Sequence, residues 1–152
     1  MLKHIWTVLC RKSVIDSETN NISLNEVMEQ IALDLKLKEQ DAKNVKTINL
    51  PLEFEVVSML FKETKKLTKA DLKVEFINPQ NKIFNTIAQT FEMPETMRRM
   101  RTRIRVLGLA VEESGDYIFR VSLKEEEDKT YKTVAEVPLE VHVNKIIDTQ
   151  PN

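Results

Sequence analysis

Hydrophobic and polar residues alternate at every second position through much of this chain. The alternation is clearest in residues 50–61, where Leu52, Phe54 and Val56 are separated by single residues that include two glutamates. Because successive side chains of a strand point to opposite faces of a sheet, this run predicts a strand with one buried face. Residues 3–10 are apolar on both faces and predict a strand buried between layers. Further runs predict strands at residues 72–76, 82–92, 98–107, 117–123 and 131–147.

Polar turn residues separate these strands. Residues 16–21 and 78–81 are rich in aspartate and asparagine, which tolerate left-handed backbone and hydrogen-bond to their own chain, so each predicts a hairpin turn. The acidic run at 125–128 predicts an exposed hairpin loop. Pro138 falls inside the last predicted strand and marks a sheet edge or a bulge, because proline cannot donate a hydrogen bond to a central ladder.

The segment from residue 22 to residue 37 is compatible with two structures. Ser23 and Glu26 have the spacing of a helical capping box, and Ile31 and Leu35 lie on one helical stripe. From Ile31 onward, however, apolar residues also alternate with alanine, aspartate and lysine, which is typical of a half-buried strand. We favour the strand, because a helix here would carry apolar residues on all sides.

The strands and turns together predict a mostly β protein. Seven or eight short strands in this length favour a two-sheet antiparallel β-sandwich. A small closed β-barrel, and an α+β fold with a helix at about residues 23–36, are the alternatives. The polar stretch 38–49 predicts a loop or a single helical turn that joins two parts of the sheets. We expect one domain over residues 1–148 and a flexible tail at 149–152.

Three parts of the chain have a distinctive pattern of strand and turn residues: the first strand with the segment that follows it, the start of a middle strand, and the start of a late strand. Their residues are 6–10, Asp16, 20–24, 27–31, 52–57 and 115–119. In these parts the chain resembles an uncharacterised family of small bacterial proteins. The resemblance covers most of the chain and implies a β-sandwich in which residues 22–35 are extended. It implies no activity, cofactor or catalytic residue.

The composition indicates an ordered and nearly neutral protein. Hydrophobic residues make up 41% of the 152 residues, charged residues make up 31%, and the formal net charge is −1. This apolar content is what a disordered chain lacks. A neutral molecule also lacks the overall positive field with which non-specific DNA-binding proteins attract phosphate, so any role in binding nucleic acid must be local.

The cysteine content and the apolar runs indicate where the protein works. Cys10 is the only cysteine, so the chain forms no internal disulfide, which is typical of a reducing compartment. The apolar run at residues 5–10 is too short for the core of a signal peptide, and no run of about 18 apolar residues follows it. We therefore expect a cytoplasmic protein with no membrane partner.

One cluster of charges is a candidate binding site. On a strand, Arg99, Arg101, Arg103 and Arg105 project from the same face, about 7 Å apart. Such a row is suited to nucleic acid, another polyanion or an acidic partner protein, because the guanidinium fork binds phosphate and carboxylate alike. The alternative is that these arginines pair across the sheet with Glu53, Glu55, Glu75 or Glu140.

The sequence contains no recognisable catalytic or metal-binding motif. The soft metal ligands are His4, Cys10 and His142, and His4 and Cys10 are about 20 Å apart along one predicted strand, so one site cannot use both. The acidic run at 125–128 lacks the alternating ligands and the glycine of a calcium loop. Nucleophile elbows and phosphate-binding glycine loops are also missing. We expect neither a metal site nor a cofactor, and no catalytic residue.

The sequence therefore favours a non-catalytic interaction or assembly module whose partner is a protein, either a second copy or another chain. The alternative is an anion- or nucleic-acid-binding protein that uses the arginine row. A weaker alternative is a small hydrolase or a sugar-binding domain with a pocket formed by loops at one end of the sandwich.

Overall fold

The computed structural model describes residues 1–42 and 47–148, and most of them lie in strands. The strands are β1 (Leu2–Ile15), β2 (Ile22–Val27), β3 (Gln30–Lys38), β4 (Ile48–Lys62), β5 (Thr68–Ile77), β6 (Ile83–Met93), β7 (Arg99–Val111), β8 (Gly115–Glu125) and β9 (Lys132–Asp148). A single helical turn, α1 (Glu39–Ala42), follows β3, as the polar stretch predicted. No helix in these two ranges is long and apolar enough to cross a membrane. The tail predicted at 149–152 lies outside the described residues.

The strands form two sheets that pack face to face. Sheet I has the order β2-β1-β4-β7, and sheet II has the order β3-β9-β8-β5-β6. The predicted β-sandwich is confirmed, and the two sheets do not close into a barrel. The described ranges contain nine strands rather than seven or eight, and one pair, β3 with β9, is parallel.

The additional strand comes from the segment at 22–37, which is extended as predicted but divides into β2 and β3. The backbone N–H of Met28 donates to the carbonyl of Leu9 in sheet I at 2.8 Å, and the carbonyl of the next residue, Glu29, accepts from the N–H of Glu140 in sheet II at 3.0 Å. The segment therefore passes from one sheet to the other between two neighbouring residues. Pairing with β1 and β9 supplies the backbone hydrogen bonds that a helix would make internally, so helix propensity does not decide the outcome.

The core lies between the two sheets and is built largely from apolar side chains. Phe54 of sheet I meets Phe119 of sheet II edge to face, with ring centroids 5.7 Å apart, and Phe76 contacts the same Phe119 at 4.8 Å. All three side chains are at most 1% exposed. Because edge-to-face pairs add to the free energy of area burial, these rings help to fix one sheet against the other.

The predicted turns follow the expected asparagine and aspartate chemistry. The carboxylate of Asp16 accepts hydrogen bonds from the backbone N–H groups of Glu18 and Thr19, each at 2.8 Å. Asn20 and Asn81 adopt left-handed backbone, with φ of 58° and 62°. The turns join β1 to β2 and β5 to β6 as antiparallel hairpins, which confirms both predictions.

Pro138 lies at a local sheet edge, although β9 as a whole has a neighbour on each side. Glu140 donates its N–H toward β3, and Pro138, two residues earlier, has its nitrogen on the same side. The pairing of β3 with β9 begins at Glu140, so no strand lies beside Pro138 on that side. The missing N–H therefore costs no ladder hydrogen bond, which is why proline is accepted there.

Candidate interaction surfaces

The arginine row lies on β7, which forms one edge of sheet I. Arg99, Arg103 and Arg105 are exposed and Arg101 is half-buried, whereas the residues between them face the core. The row therefore runs along the outer face of the sandwich, beside β4. The structure places all four predicted residues on one surface.

The four arginines have different partners. Arg105 forms an ion pair with Glu53 on β4, in which its Nε donates to the carboxylate at 2.6 Å. Arg101 donates to the side-chain oxygen of Asn20 at 3.0 Å. Within residues 1–42 and 47–148, the side chain of Arg99 has neither a hydrogen bond nor an ion pair. One arginine is thus neutralised by a carboxylate and the row is only partly paired.

Arg103 contacts a hydroxyl group rather than a carboxylate. Its Nη1 donates to Ser13 Oγ at 3.4 Å, a long hydrogen bond. Glu55, a predicted arginine partner, instead accepts from the backbone N–H of Ser13 at 2.5 Å. The other two predicted partners are also engaged elsewhere, in the pairs Glu75 with Lys73 and Glu140 with His142.

A cleft of about 600 Å³ opens between β1, β4 and the arginine row. Its lining comprises Arg11, Lys12, Ser13, Glu53, Glu55, Arg103 and Arg105. Four cations and two carboxylates give this wall a positive excess, although Arg11 also lies 3.5 Å from the carboxylate of Glu26. The cleft is suited to an anion, and Lys12 has no ion-pair partner in the described part of the chain.

A second surface lies at the opposite edge of the sandwich, where β3 and β9 extend beyond their neighbours. The last pair between β8 and β9 is Gly115 with Val141, whereas β3 and β9 remain paired as far as Asp148. Residues 33–38 and 143–148 therefore form a parallel ribbon only two strands wide, which we call the β3–β9 arm. An isolated two-stranded ribbon is marginally stable in water.

One face of the β3–β9 arm is apolar. Its side chains are Leu33, Leu35, Leu37, Val143 and Ile147, with Lys145 among them. Leu33 and Val143 pack against the core, and the stripe then continues outward through Leu35 and Leu37. Ile147 at its end is 49% exposed. The outer edge of β3 is unpaired over its nine residues in the described structure, which leaves a row of free backbone groups beside an apolar stripe.

The three soft metal ligands of the sequence lie apart from one another. The His4 ring hydrogen-bonds to Thr7 Oγ1 at 2.7 Å, and its burial lowers the pKa of the imidazole. Cys10 is fully buried, and both burial and the nearby Glu55 raise the pKa of its thiol. In the described ranges, no group of three or more His, Cys, Asp or Glu residues is arranged to hold a metal ion.

The arm is the surface that reasoning from the sequence missed. The alternation from Ile31 to Leu37 predicted a strand, but it gave no sign of the strand's partner. That partner lies 110 residues later in the chain, where Ile146 and Ile147 extend the last strand. The apolar residues Ile146 and Ile147, so close to the end of the last strand, were the signal in the sequence that this strand continues beyond the core.

No family model matches the chain, and no curated protein matches it. Among solved structures, the chain is similar to the cupredoxin domain of amoB from Nitrosocaldus yellowstonii, at 15% identity and a TM-score of 0.38. The match covers 60% of this chain and 57% of that chain. A likeness of this extent supports no functional conclusion.

Proposed function

We propose that this protein is a non-catalytic assembly module that associates with a second copy of itself through the β3–β9 arm. The observation that carries the proposal is the apolar stripe, which leaves the core of its own chain at Leu35 and continues beside an unpaired strand edge. An exposed strand edge with an apolar flank is a template for pairing with another chain.

Burial of this stripe supplies a favourable free energy of association. Full burial of a leucine or isoleucine side chain contributes about 1.5–3 kcal/mol. Further burial of Leu35 and Leu37, which are half-buried, and of Ile147, which is 49% exposed, therefore contributes part of that free energy. In a two-fold dimer each copy buries the same residues, so the free energy gained at each residue is gained once in each copy. The charges beside the stripe favour a second copy as the occupant, because Asp34 and Lys36 complement each other when two β3 strands run in opposite directions.

Sedimentation velocity across a wide range of protein concentrations tests the proposal. We expect a reversible dimer for the wild-type chain and a monomer for Leu35→Asp, because the substitution removes an apolar side chain from the centre of the stripe and puts a second charged residue beside Lys145. Leu107→Asp is the matched control, since Leu107 is a 74% exposed leucine on β7, at another sheet edge. A wild-type monomer at every concentration contradicts the proposal, as does equal weakening by both substitutions.

The arginine row supports a second candidate function, the binding of a polyanion such as nucleic acid. The observation in its favour is that Arg99 and Lys12 have no carboxylate partner in the described residues and that Arg103 contacts only a hydroxyl group. Cations of this kind gain most from phosphate, because no internal ion pair has to be broken.

Fluorescence anisotropy with short DNA and RNA, measured at several salt concentrations, tests this second function. We expect affinity that falls steeply with salt. In an Arg99→Ala/Arg103→Ala variant, the log–log salt slope should be smaller by about one for each phosphate that is no longer neutralised. Lys129→Ala, which removes an exposed cation elsewhere, is the control and retains the slope. Binding that does not depend on salt, or none at low salt, rejects polyanion binding.

A further inference from the structure

We infer that two copies join through an antiparallel pairing of β3 with β3, centred on Leu35. This inference rests on the proposed self-association and specifies its geometry. The outer edge of β3 is open over the whole strand in the described structure, whereas β9 pairs with β8 over part of its length. The edge of β3 is therefore the longer template for a second strand.

The alternation of side chains restricts the possible registers. Residues that lie opposite each other in an antiparallel pair point to the same face of the sheet. On β3 the odd-numbered residues from Ile31 to Leu37 are apolar and half-buried, and the even-numbered residues are exposed. The two apolar faces coincide only when odd residues lie opposite odd residues, because a shift of one residue turns every side chain to the other face.

Charge then selects among the central registers that remain. A pairing centred on Asp34 places two aspartates opposite each other, and a pairing centred on Lys36 does the same with two lysines. A pairing centred on Leu35 instead places Asp34 opposite Lys36 of the second copy, and does so twice. It also places Leu33 opposite Leu37 of the second copy, and Leu35 opposite Leu35 of the second copy. Opposite charges on facing residues stabilise a sheet and like charges destabilise it, so the Leu35 register is favoured.

The two charged side chains are available for this pairing. Asp34 and Lys36 are exposed, and Lys36 has no ion pair in the described residues. Asp34 accepts one hydrogen bond, from Asn144 Nδ2 at 3.2 Å, which leaves its second carboxylate oxygen for a lysine. Neither side chain has to break an ion pair within its own copy.

The paired assembly is closed. A two-fold axis through the two Leu35 residues uses the same edge of each copy, so the contact cannot repeat into a filament. The two copies of sheet II become one continuous sheet, with β6 at each end. The stripe of one arm continues directly into the stripe of the other.

Charge reversal and mixing test the register. Asp34→Lys places lysine opposite lysine, and Lys36→Asp places aspartate opposite aspartate, so each variant alone should dimerise roughly tenfold more weakly than wild type. An equimolar mixture of the two variants restores both opposite-charge pairs, so heterodimers should form with near wild-type affinity. The double variant Asp34→Lys/Lys36→Asp should also dimerise like wild type. Both positions are exposed, so these changes spare the core.

The outcomes separate the register from the proposed function. A wild-type dimer that both single variants leave unchanged overturns the Leu35 register and leaves self-association standing. Weakened single variants that mixing does not rescue also overturn the register. A wild-type chain that is monomeric at all concentrations overturns the proposed function itself. Sedimentation equilibrium of each variant and of the mixture measures all of these affinities.

Discussion

At the scale of single residues, Lys62 is the least expected feature of the fold. It ends β4, is fully buried, and donates from Nζ to the carbonyl oxygens of Lys66, Met93 and Pro94 at 2.6, 3.1 and 2.6 Å. From the sequence alone, a lysine at the end of a strand is expected to be a solvent-exposed charge. Here its three N–H donors are all used, so one ammonium group joins β4 to the chain on either side of β5 and β6.

We expect Lys62→Met to destabilise the protein by roughly 3 kcal/mol, because three carbonyl oxygens lose a charged donor and that of Met93, a fully buried residue, is left in the core. Chemical denaturation followed by circular dichroism measures the free energy of unfolding. Lys65→Met, at an exposed lysine in the following loop, should change it by no more than about 0.5 kcal/mol. Equal effects for the two variants would show that the hydrogen bonds to the carbonyl oxygens contribute nothing.

Tyr117 makes stability depend on alkaline pH. Its hydroxyl donates to the carbonyl of Glu113 at 2.9 Å and accepts from the N–H of Glu112 at 3.3 Å, and burial raises the pKa of the phenol. The neutral phenol is favoured in the folded state, so its contribution is complete below the unfolded pKa and is lost as pH rises through the folded pKa.

The expected result is that Tyr117→Phe lowers the free energy of unfolding by about 1 kcal/mol at neutral pH, and that this difference shrinks above about pH 10. Denaturant titrations of both proteins from pH 7 to strongly alkaline pH provide the measurement. Tyr131→Phe removes a hydroxyl that has no hydrogen bond in the described structure, and it serves as the control. A difference that grows with pH would contradict the raised pKa.

At the scale of elements, two positions on β9 mark the point where its pairing with β3 begins. Pro138 lies just before the parallel pairing begins, and Glu140 donates the first hydrogen bond to the segment that enters β3. The backbone nitrogens of both residues point to the same side of β9, but the chain that enters β3 lies beside Glu140 and not beside Pro138.

This difference predicts that proline is tolerated at position 138 and destabilises the protein at position 140. Pro138→Ala should change the free energy of unfolding by less than about 1 kcal/mol, because no hydrogen bond forms or breaks on the open side. Glu140→Pro should cost at least about 2 kcal/mol, because it removes the N–H that binds the Glu29 carbonyl and puts a ring between paired strands. Thermal unfolding of both variants makes the comparison. Similar effects would contradict the assignment of the edge.

Elements of the fold were predictable from sequence where their causes are local. The hairpin turns that contain Asp16 and Asn78 follow from turn residues that lie within a few positions of each other. The face that carries the arginines follows from the alternation of side chains along β7 alone. The parallel pairing of β3 with β9 has no local cause, because it joins residues 110 positions apart. The partners of the arginines were predictable only for Glu53, because side chains such as Ser13 and Asn20 reach the row through the three-dimensional packing of β1 and its turn.

At the scale of the whole molecule, the two sheets share one core. Apolar side chains from both sheets form a single contiguous cluster, with the contact between Phe54 and Phe119 crossing from one sheet to the other. Neither sheet buries its inner face without the other, so we expect the described residues of both sheets to fold together.

We therefore expect a single cooperative unfolding transition. Fluorescence of Trp6, the only tryptophan, reports on sheet I, and far-ultraviolet circular dichroism reports on both sheets. The two signals should give the same midpoint and the same free energy in guanidinium chloride at fixed protein concentration. Separate midpoints would show that sheet I unfolds independently and would divide the chain into two units.

The step from β2 to β3 gives the molecule a mechanical property. Met28 donates a hydrogen bond to β1 and its neighbour Glu29 accepts one from β9, so two neighbouring residues are tied to different sheets. A tensile load on the β3–β9 arm reaches sheet I and sheet II at neighbouring points of the chain. We expect that pulling the arm away from sheet II also loads the edge of sheet I. Two copies held together through such arms would carry tension into both sandwiches instead of peeling off their outermost strands.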